Sequence, residues 1–417
     1  MRMTRLGGRT FASLRHRDYR LYFAGSAVSF IGTWMQQIAA FWLVLDLTHS
    51  PVAVGALALV QTLPVTVFSL VGGSLADRID VRRMLIASDC VLTVLAATLA
   101  ALALTDRIQV WHFYALGLVY GIVVALGSPS RHTLVFRIVG RDDLPNAVAL
   151  SSGLGTTARI VGPALGGLVV AAAGPGIAFA TNALSYLVSV AALLAMRLPR
   201  RPRAAGAGRV LTGIAETFRF AFGERRVTVT FFAVLLVSTF SFNFDVLLPL
   251  LARRTLDEGA AVFGLIASVF GMGALCGALI LATVGRARLL LVLGGAAGFG
   301  GFQLVLAPQD TLPVVCALLF VIGIFYILWG SSALAVLQLA APEHLRGRAA
   351  SLYFFAFMGG APLGGLVAGS LTAQGGTRLA FAFAGTMAVV VVATAAAVLL
   401  AGRRPKRVPP STREAEA

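Results

Sequence analysis

The chain has 417 residues, of which 58% are hydrophobic and only 12% are charged, and its formal net charge is +17. Average soluble chains carry about twice that charged fraction, which excludes a soluble domain of this size. The basic excess does not require a nucleic-acid partner, because Lys and Arg accumulate in the cytoplasmic loops of membrane proteins. We therefore expect a polytopic helical protein of the lipid bilayer that binds no nucleic acid.

Apolar runs long enough to cross a bilayer, which takes about 20 residues each, recur along the chain. A segment rich in Pro, Gly and Arg separates the sixth run from the seventh. The predicted spans are 21–46, 52–75, 84–104, 110–130, 147–173, 176–197, 227–251, 262–284, 289–307, 312–339, 349–373 and 378–401. The predicted organisation is a cytoplasmic tail (1–20), a six-helix bundle (21–197), a cytoplasmic linker (198–226), a second six-helix bundle (227–401) and a cytoplasmic tail (402–417).

Basic residues fall almost entirely on one side of these spans. If both termini lie in the cytoplasm, nearly all of the 34 Lys and Arg lie on the cytoplasmic side. The exceptions are Arg107, Arg253, Arg254 and Arg378, which lie outside, and Arg159, which lies within a span. This asymmetry predicts a multi-pass membrane protein with both termini in the cytoplasm. The polar, basic first 20 residues lack a short apolar core, so no removable signal peptide is expected.

The two halves repeat each other at a distance of about 200 residues. Residues 162–169 read Gly-Pro-Ala-Leu-Gly-Gly-Leu-Val, and residues 360–367 read Gly-Ala-Pro-Leu-Gly-Gly-Leu-Val. The charged loop at 72–83 has a partial copy at 285–288, which keeps two arginines and lacks an acidic residue. Two sets of six spans in the same orientation are typical of the parallel duplication of one transporter architecture.

Three sets of motifs resemble the major facilitator superfamily. The loop sequence Gly73-x-Leu75-Ala76-Asp77-Arg78, with Arg82, is similar to the superfamily signature between the second and third spans, although Asp80 and Val81 replace a glycine and a basic residue. The sequence Gly162-Pro163-x-x-Gly166-Gly167 is similar to the signature of its exporters. Motifs within 11–36, 47–51 and 143–147 resemble its enterobactin-exporter and macrolide-efflux branch, the transmembrane secretion effectors.

This resemblance implies two six-helix bundles that rock about a central cavity, lined by the first, fourth, seventh and tenth spans. It implies a small organic substrate, with protons as the coupling ion. We expect the protein to work as a monomer.

The charged loop is predicted to form a cytoplasmic gate from Gly73, Asp77, Arg78, Arg82 and Arg83. Asp77 would lie near the start of the eleventh span, where the helix dipole favours an anion, or pair with Arg346 or Arg348. Such contacts would form in one access state and break in the other. The alternative is a solvated loop that only fixes topology.

Small residues recur at helical spacing on one face of the fifth span, and the eighth span offers a matching pair. We predict a close contact of these two spans between the halves, on which the halves rock, with ordinary tight packing as the alternative. The proline in the fifth span would bend it locally. The predicted interbundle residues are Gly155, Gly162, Pro163, Gly166, Gly167, Gly273 and Gly277.

Arg159 lies near the middle of the fifth span. A charge there costs at least about 3 kcal/mol, so the side chain should face protein or water. Its counterpart in the repeat is near Met358, which is apolar and argues against a purely architectural need. A role in substrate or proton coupling and a fixed contact that braces the spans are both open.

Few acidic residues lie in or at the ends of spans. Asp89 is interpreted as a structural brace for Arg131 or Arg137, and Asp46 as an interfacial residue at the outer end of the first span. Asp245 is then the best candidate for a proton carrier, because it continues a polar stripe of the seventh span.

Further polar side chains lie at helical spacing on the first, seventh and tenth spans. Polar groups in an apolar wall are typical of a cavity for an organic ligand, and hydrogen bonding between helices is the alternative. The predicted residues for substrate or proton coupling are Ser29, Thr33, Gln36, Gln37, Arg159, Ser238, Ser241, Asp245, Tyr326 and Trp329.

Motifs for other chemistry are missing from the sequence. No P-loop occurs, and Lys406 is the only lysine. The histidines are far apart, and the three cysteines fall in apolar runs without metal-ligand spacing. We therefore predict no enzymatic activity, no cofactor and no metal site.

Together these patterns predict a secondary active exporter of hydrophobic or amphipathic small molecules that works by alternating access and proton antiport. Multidrug, macrolide-like or siderophore cargo fits the resemblance. A lipid or lysophospholipid translocator on the same fold is the alternative within transport. A non-transporting membrane sensor or assembly factor is the alternative from another class.

Overall fold

The computed structural model describes residues 11–76, 80–140, 142–197, 219, 222–284, 288–342 and 345–401, with the side chains of 69–76, 129, 132 and 346 left out. Its long elements are helices. They are α1 (Arg17–Thr48), α2 (Pro51–Ala76), α3 (Val81–Leu104), α4 (Val110–Val139), α5 (Leu144–Ala173), α6 (Pro175–Ala195), α7 (Arg225–Thr255), α8 (Ala260–Val284), α9 (Leu289–Leu306), α10 (Leu312–Ala340), α11 (Arg346–Gly359 and 361–374) and α12 (377–401).

The last helical stretch accounts for two membrane spans. Within the described ranges, 11 helices are long and apolar enough to cross a bilayer, and the last of them, Gly347–Ala401, has 55 residues. It bends where Gly375 and Gly376 leave helical geometry, and the φ of +72° at Gly376 is a left-handed conformation that suits glycine. This bend separates α11 from α12. The predicted fold class, an all-α membrane protein with twelve spans in two six-helix bundles, is confirmed.

Two spans differ in detail from the prediction. α4 continues to Val139 instead of ending at 130, so Arg131 lies inside the helix. α7 is interrupted at Phe242 and Asn243, and its last turn is π-helical. Asn243 Nδ2 donates to the Thr239 carbonyl at 2.9 Å, which satisfies one acceptor that the break leaves free. Hydropathy does not locate such a break, because long apolar runs continue on both sides of it.

The first two glycines of the repeated motif face a helix of their own half. A Cβ added to Gly162 or Gly166 would meet atoms of α1. In the copy, a Cβ added to Gly360 or Gly364 would meet Thr239 of α7. Because α1 and α7 are equivalent helices of the two halves, the duplicated sequence makes the same contact twice.

The third glycine of each copy crosses to the other half. A Cβ added to Gly167 would lie 2.6 Å from the Ala260 carbonyl oxygen of α8. A Cβ added to Gly55 of α2 would lie 2.5 Å from the Gly365 carbonyl oxygen of α11. The predicted contact between α5 and α8 is therefore present, and α2 with α11 is its counterpart.

Other glycines that were predicted at the interbundle contact lie elsewhere. Nothing lies within 4 Å of a Cβ added to Gly155, whereas Gly273 and Gly277 face Phe320 and Ile324 of α10 in their own half. The prediction is wrong for these residues, as it is for the two α5 glycines that face α1. Helical spacing identifies a face of small residues, but it does not say which neighbouring helix covers that face.

The halves meet at the end of the molecule that carries the α1–α2 and α7–α8 connections. Arg253 Nη2 lies 3.6 Å from Asp46 Oδ1, and Arg254 Nη2 donates to the His49 carbonyl oxygen at 2.7 Å. The Arg253 guanidinium also lies 5.6 Å from the Trp42 ring centroid. Toward the other end, added Cβ atoms meet nothing within 4 Å at Gly153, Gly155 and Gly347. The contacts of Asp46, His49 and Trp42 with Arg253 and Arg254 thus join the two halves at the first end.

The N-terminal segment is fixed to the start of α5. The Ser13 backbone N–H and Oγ donate to Asn146 Oδ1 at 2.9 and 2.6 Å. His16 Nε2 lies 2.8 Å from Asp143 Oδ2. Two sequence segments that carry the family resemblance, 11–36 and 143–147, are therefore in contact, so that the tail and α5 are held together.

Asp89 of α3 is fully buried in the N-terminal half. Arg131 Nη2 of α4 donates to its Oδ1 at 2.8 Å, and Ser189 Oγ of α6 donates to its Oδ2 at 2.7 Å. The carboxylate joins three helices through charge-assisted bonds. This geometry agrees with its interpretation as a brace for Arg131.

Candidate functional site

A cavity of about 550 Å³ lies between the two halves. α1 and α5 of the N-terminal half form one wall, and α7 and α8 of the C-terminal half form the other. The walls are mostly apolar and aromatic, and the polar side chains that line them are Gln37, Arg159 and Asp245. A largely apolar cavity with a few convergent polar groups is the usual form of a small-molecule site. The predicted lining by the first and seventh spans is present, whereas α5 and α8 stand where the fourth and tenth spans were expected.

Arg159 brings a positive charge to this cavity. Its guanidinium lies 4.8 Å from the Trp34 ring centroid of α1, and Nη1 donates to the Tyr326 hydroxyl of α10 at 3.3 Å. These are a cation–π contact and a hydrogen bond, both to uncharged groups. No carboxylate lies within salt-bridge distance of Arg159 among the described residues. The charge is therefore held in place without being neutralised.

Asp245 brings a negative charge to the opposite wall. It lies in the first turn after the break in α7, and its side chain is exposed to the cavity. The break separates it from the stripe with Ser238 and Ser241 that the sequence predicts. Their hydroxyls donate instead to the carbonyl oxygens of Ala356 and Ala384, at 3.2 and 2.6 Å, and so brace α7 against α11 and α12. The predicted polar stripe on α7 is therefore wrong, and Asp245 alone of the three lines the cavity.

Aromatic rings stack within the C-terminal wall, because Phe242, Phe244 and Phe270 line the cavity. The Phe242 and Tyr326 centroids are 4.7 Å apart with an interplanar angle of 5°, and those of Phe244 and Phe270 are also 4.7 Å apart. Trp329 is fully buried away from the cavity, so its predicted place beside a ligand is wrong. Because α10 packs tightly against α8 and α9, only Tyr326 of the two predicted α10 residues reaches a cavity residue.

The polar residues predicted on α1 are divided between packing and the cavity. Thr33 Oγ1 donates to the Ser29 carbonyl at 2.8 Å and lies 2.9 Å from the Tyr186 hydroxyl. Ser29 itself is buried, and its hydroxyl has no partner in the part of the chain that the structure describes. These two residues serve helix packing and do not line the central cavity, contrary to the prediction.

The two glutamines of α1 pair with amides of other helices. Gln36 Oε1 accepts from Asn182 Nδ2 of α6 at 2.8 Å, and Gln37 Nε2 donates to Gln61 Oε1 of α2 at 2.8 Å. Gln37 lines the central cavity, whereas Gln36 faces the interior of the N-terminal half. Gln61 and Asn182 did not figure in the sequence prediction, although an amide within an apolar span is the signal that reveals them.

The predicted cytoplasmic gate is only partly described. Asp77 and Arg78 lie outside the described residues, and Gly73 belongs to the last turns of α2. Arg82 donates to the Leu193 and Leu194 carbonyl oxygens at the end of α6, each at 2.8 Å. Its bonds in this state are therefore to its own half, and its place in a cytoplasmic gate stays a prediction.

Asp80, which replaces a glycine of the superfamily signature, has a structural role. Its side chain accepts from the backbone N–H of Arg83 at 3.1 Å and caps the start of α3. The carboxylate thus stabilises the helix end that follows the loop. The Arg83 backbone takes part in this cap, and its side chain has no partner in the other half among the described residues.

Curated relatives are transporters of small molecules. The chain is 28% identical over 358 residues to the multidrug efflux pump Tap of Mycolicibacterium fortuitum, which covers 82% of this chain and 87% of that protein. It is 27% identical over 404 residues, 95% of each chain, to the enterobactin exporter EntS of Shigella boydii serotype 18. It is 25% identical over 270 residues, 64% of this chain and 67% of that protein, to the staphyloferrin A transporter of Staphylococcus aureus.

Solved structures share the fold at low sequence identity. The nucleoside transporter NupG superposes with a TM-score of 0.73 at 14% identity, over 92% of this chain and 99% of that one. A bacterial homolog of the human lysosomal transporter Spinster, in an inward-facing and unoccupied conformation, superposes with a TM-score of 0.71 at 14% identity, over 93% and 97%. At this sequence identity, the two superpositions show a shared fold only.

The family comparison covers nearly the whole chain. Residues 8–411 match the family described as transmembrane secretion effector. The match includes both halves, the central cavity between them and the two sequence segments that join the N-terminal tail to α5. The chain therefore belongs to the transmembrane secretion effector family of the major facilitator superfamily.

Proposed function

We propose that the protein exports an amphipathic small molecule across the bacterial inner membrane in exchange for protons. The observation that carries this proposal is the pair of opposite charges in the cavity between the halves, Arg159 on one wall and Asp245 on the other. No metal or cofactor is needed for such exchange. One chain forms the whole cavity, which supports a monomer as the working unit.

Asp245 is proposed as the proton carrier and Arg159 as its internal counter-charge. When Asp245 is ionised, the two groups attract each other across the cavity, and the low dielectric of the protein interior strengthens this attraction. Protonation of Asp245 removes the attraction. Because the groups belong to different halves, gain or loss of one proton changes the force between the halves and biases their equilibrium.

The contacts between the halves support alternating access. The glycines of α5 with α8 and of α2 with α11 bring the backbones close, and Arg253 and Arg254 join α7 to the end of α1. The distribution of basic residues supports an orientation in which this closed end lies outside the cell. The described state would then expose the cavity to the cytoplasm, where an exporter takes up its cargo.

The cavity favours an amphipathic cargo. Its aromatic and apolar side chains would cover the apolar part of a cargo molecule, and the few polar side chains would orient the rest. Drugs and siderophores, which the relatives Tap and EntS carry by name, have this character. We therefore propose cargo of these two classes.

Everted membrane vesicles test the proposal. Their lumen is acidified by respiration, and uptake of ethidium, erythromycin and enterobactin is measured with and without nigericin, which collapses the pH gradient. We expect gradient-dependent uptake of at least one compound by the wild-type protein. Asp245→Asn should lose this dependence, because the amide does not exchange a proton.

The matched control is Asp310→Asn, which alters an exposed acid 3.7 Å from Arg378, in the same half and far from the cavity. It should keep gradient-dependent uptake. Wild-type uptake that nigericin leaves unchanged, or equal gradient dependence in Asp245→Asn, would refute proton exchange through Asp245.

A further inference from the structure

A second cavity, of about 410 Å³, lies inside the N-terminal half. Side chains of α1, α2, α3, α4 and α6 surround it. Leucines and Phe113 form its apolar part, and its polar lining consists of Gln36, Gln37, Gln61, Tyr120 and Tyr186. No charged residue lines this cavity among the described residues, in contrast to the cavity between the halves.

Gln37 connects the two cavities, because it lines both. Its Nε2 donates to Gln61 Oε1 at 2.8 Å and holds the amide at the boundary. A molecule in the central cavity therefore has the hydrogen-bonding groups of the second cavity directly beside it.

The second cavity offers more hydrogen-bond donors than acceptors. Each amide pair uses one group of each partner, so that the Nε2 groups of Gln36 and Gln61, and the Oε1 of Gln37 as an acceptor, have no partner among the described residues. The Tyr120 hydroxyl likewise has none there. The Tyr186 hydroxyl, by contrast, is engaged with Thr33 at 2.9 Å. Three donors thus remain for a guest, and uncharged donors suit uncharged oxygen acceptors.

We propose that this second cavity is a subsite for the uncharged carbonyl groups of the cargo, such as amide, ester, lactone or ketone oxygens. The apolar part of the same molecule then occupies the central cavity. Desolvation of charge would make an ionised group unfavourable in the second cavity, because nothing there compensates it. This inference rests on the proposed export function, since it assigns one part of the exported molecule to the N-terminal half.

The fluorescent ketone Prodan is a suitable probe, because it is uncharged and its emission shifts to longer wavelength when its carbonyl accepts hydrogen bonds. It is titrated against the purified full-length protein in nanodiscs, and the emission from empty nanodiscs is subtracted. We expect a saturable, red-shifted component. Tyr120→Phe removes one hydroxyl and keeps the ring, so it should weaken binding about fivefold, as expected for one neutral hydrogen bond.

Gln61→Leu is the second variant and should weaken binding at least as much, with a shift of the remaining emission to shorter wavelength. The matched control is Tyr114→Phe on the same helix, whose hydroxyl donates to the Ala53 carbonyl at 3.2 Å outside this cavity. It should bind Prodan like the wild type. If one variant fails to fold, the other still decides the question.

The proposal is overturned if the wild-type protein adds no red-shifted component, or if Tyr120→Phe and Gln61→Leu bind Prodan like Tyr114→Phe. Binding in nanodiscs needs no transport. Failure of the export function would appear as missing uptake in vesicles with Prodan binding intact, and failure of the subsite would appear as uptake with no effect of these variants on Prodan.

Discussion

The N-terminal half of the protein holds an internal ion pair and paired amides, whereas stacked aromatic rings are concentrated in the C-terminal half. In the first half, Asp89 and Arg131 form a buried ion pair 2.8 Å apart, and paired amides line a second cavity. In the other half, Phe242 stacks on Tyr326 with centroids 4.7 Å apart. Yet the repeated glycines make the same helix contacts in both halves. The duplication therefore fixes which helices touch, while the side chains between them have diverged: the N-terminal half holds an ion pair and paired amides, and the C-terminal half holds stacked aromatic rings.

This difference assigns distinct tasks to the two halves in the proposed function. The N-terminal half offers hydrogen bonds and the Arg159 charge to the cavity. The C-terminal half offers apolar and aromatic surface together with the Asp245 carboxylate. A cargo molecule bound between them would contact both kinds of surface. This division is tested by variants that alter a contact present in one half only, and by variants that alter a contact between the halves.

The largest expected effect is on the ion pair that sets the N-terminal half apart. Asp89→Leu leaves Arg131 without its partner inside the bundle, which should cost about 3–5 kcal/mol of stability. Thermal unfolding in detergent should show a clearly lower midpoint. Cys90→Ala, at the neighbouring lipid-exposed position, serves as the control and should unfold like the wild type. An unchanged midpoint in Asp89→Leu would contradict the role of the pair as a brace.

The next effect concerns the glycine contact that both halves share. Gly167→Ala places a methyl group 2.6 Å from the Ala260 carbonyl oxygen, and the backbone there cannot turn aside as a side chain would. We expect the added methyl group to destabilise the state in which α5 and α8 touch by about 1–3 kcal/mol. The transport rate should fall about tenfold. Vesicle uptake measures this rate.

Gly155→Ala on the same helix is the control for that variant, because nothing lies within 4 Å of its added Cβ. It should transport like the wild type. Equal rates for the two variants would show that the α5–α8 contact does not limit transport.

A smaller effect is expected in the charged loop, which keeps its acidic residue in the first half alone. We propose that Asp77 forms a cytoplasmic latch, so Asp77→Asn should lower uptake about fivefold, the equivalent of about 1 kcal/mol, while membrane insertion stays intact. Insertion is measured by the yield of folded protein in the membrane fraction. Wild-type uptake in Asp77→Asn would refute the latch.

The smallest effect is expected at the exposed ion pair between the halves. Asp46 and Arg253 are about half exposed and 3.6 Å apart, so Asp46→Asn should change stability by less than about 1 kcal/mol. The unfolding midpoint in detergent checks this. A loss as large as that of Asp89→Leu would mean that exposure does not distinguish the two pairs.

The sequence predicts the fold better than the site, for reasons that particular residues show. Span length and the bend-prone Gly375–Gly376 pair are local properties, so all twelve spans are found close to their predicted places. The direction of a side chain depends on the neighbouring helix. Helical spacing therefore predicts Gly273 at the contact between the halves, whereas it faces α10 of its own half. It also groups Ser238 with Asp245, although a helix break separates the two.

Residues that act through partners far along the chain were also missed. Gln61 and Asn182 are isolated amides in apolar spans, and their meaning appears only when α1 brings Gln36 and Gln37 to them. Arg159 and Asp245, by contrast, were predicted, because a charge within a span is costly enough to be conspicuous in the sequence. Their position on opposite walls of one cavity needed the structure.

The proposed export mechanism requires that the two halves rock about their glycine contacts and expose the cavity to each side of the membrane in turn. Spin labels at exposed positions measure this directly, with Leu47 and Glu258 at the closed end and Val148 and Leu279 at the other end, in a protein whose three cysteines are replaced by alanine. Electron–electron distances are recorded in nanodiscs at several pH values. We predict that a pH change shifts the two pairs in opposite directions, one longer as the other shortens, and that Asp245→Asn removes the shift. Two distances that change together, or that do not respond to pH in the wild-type protein, would contradict the account.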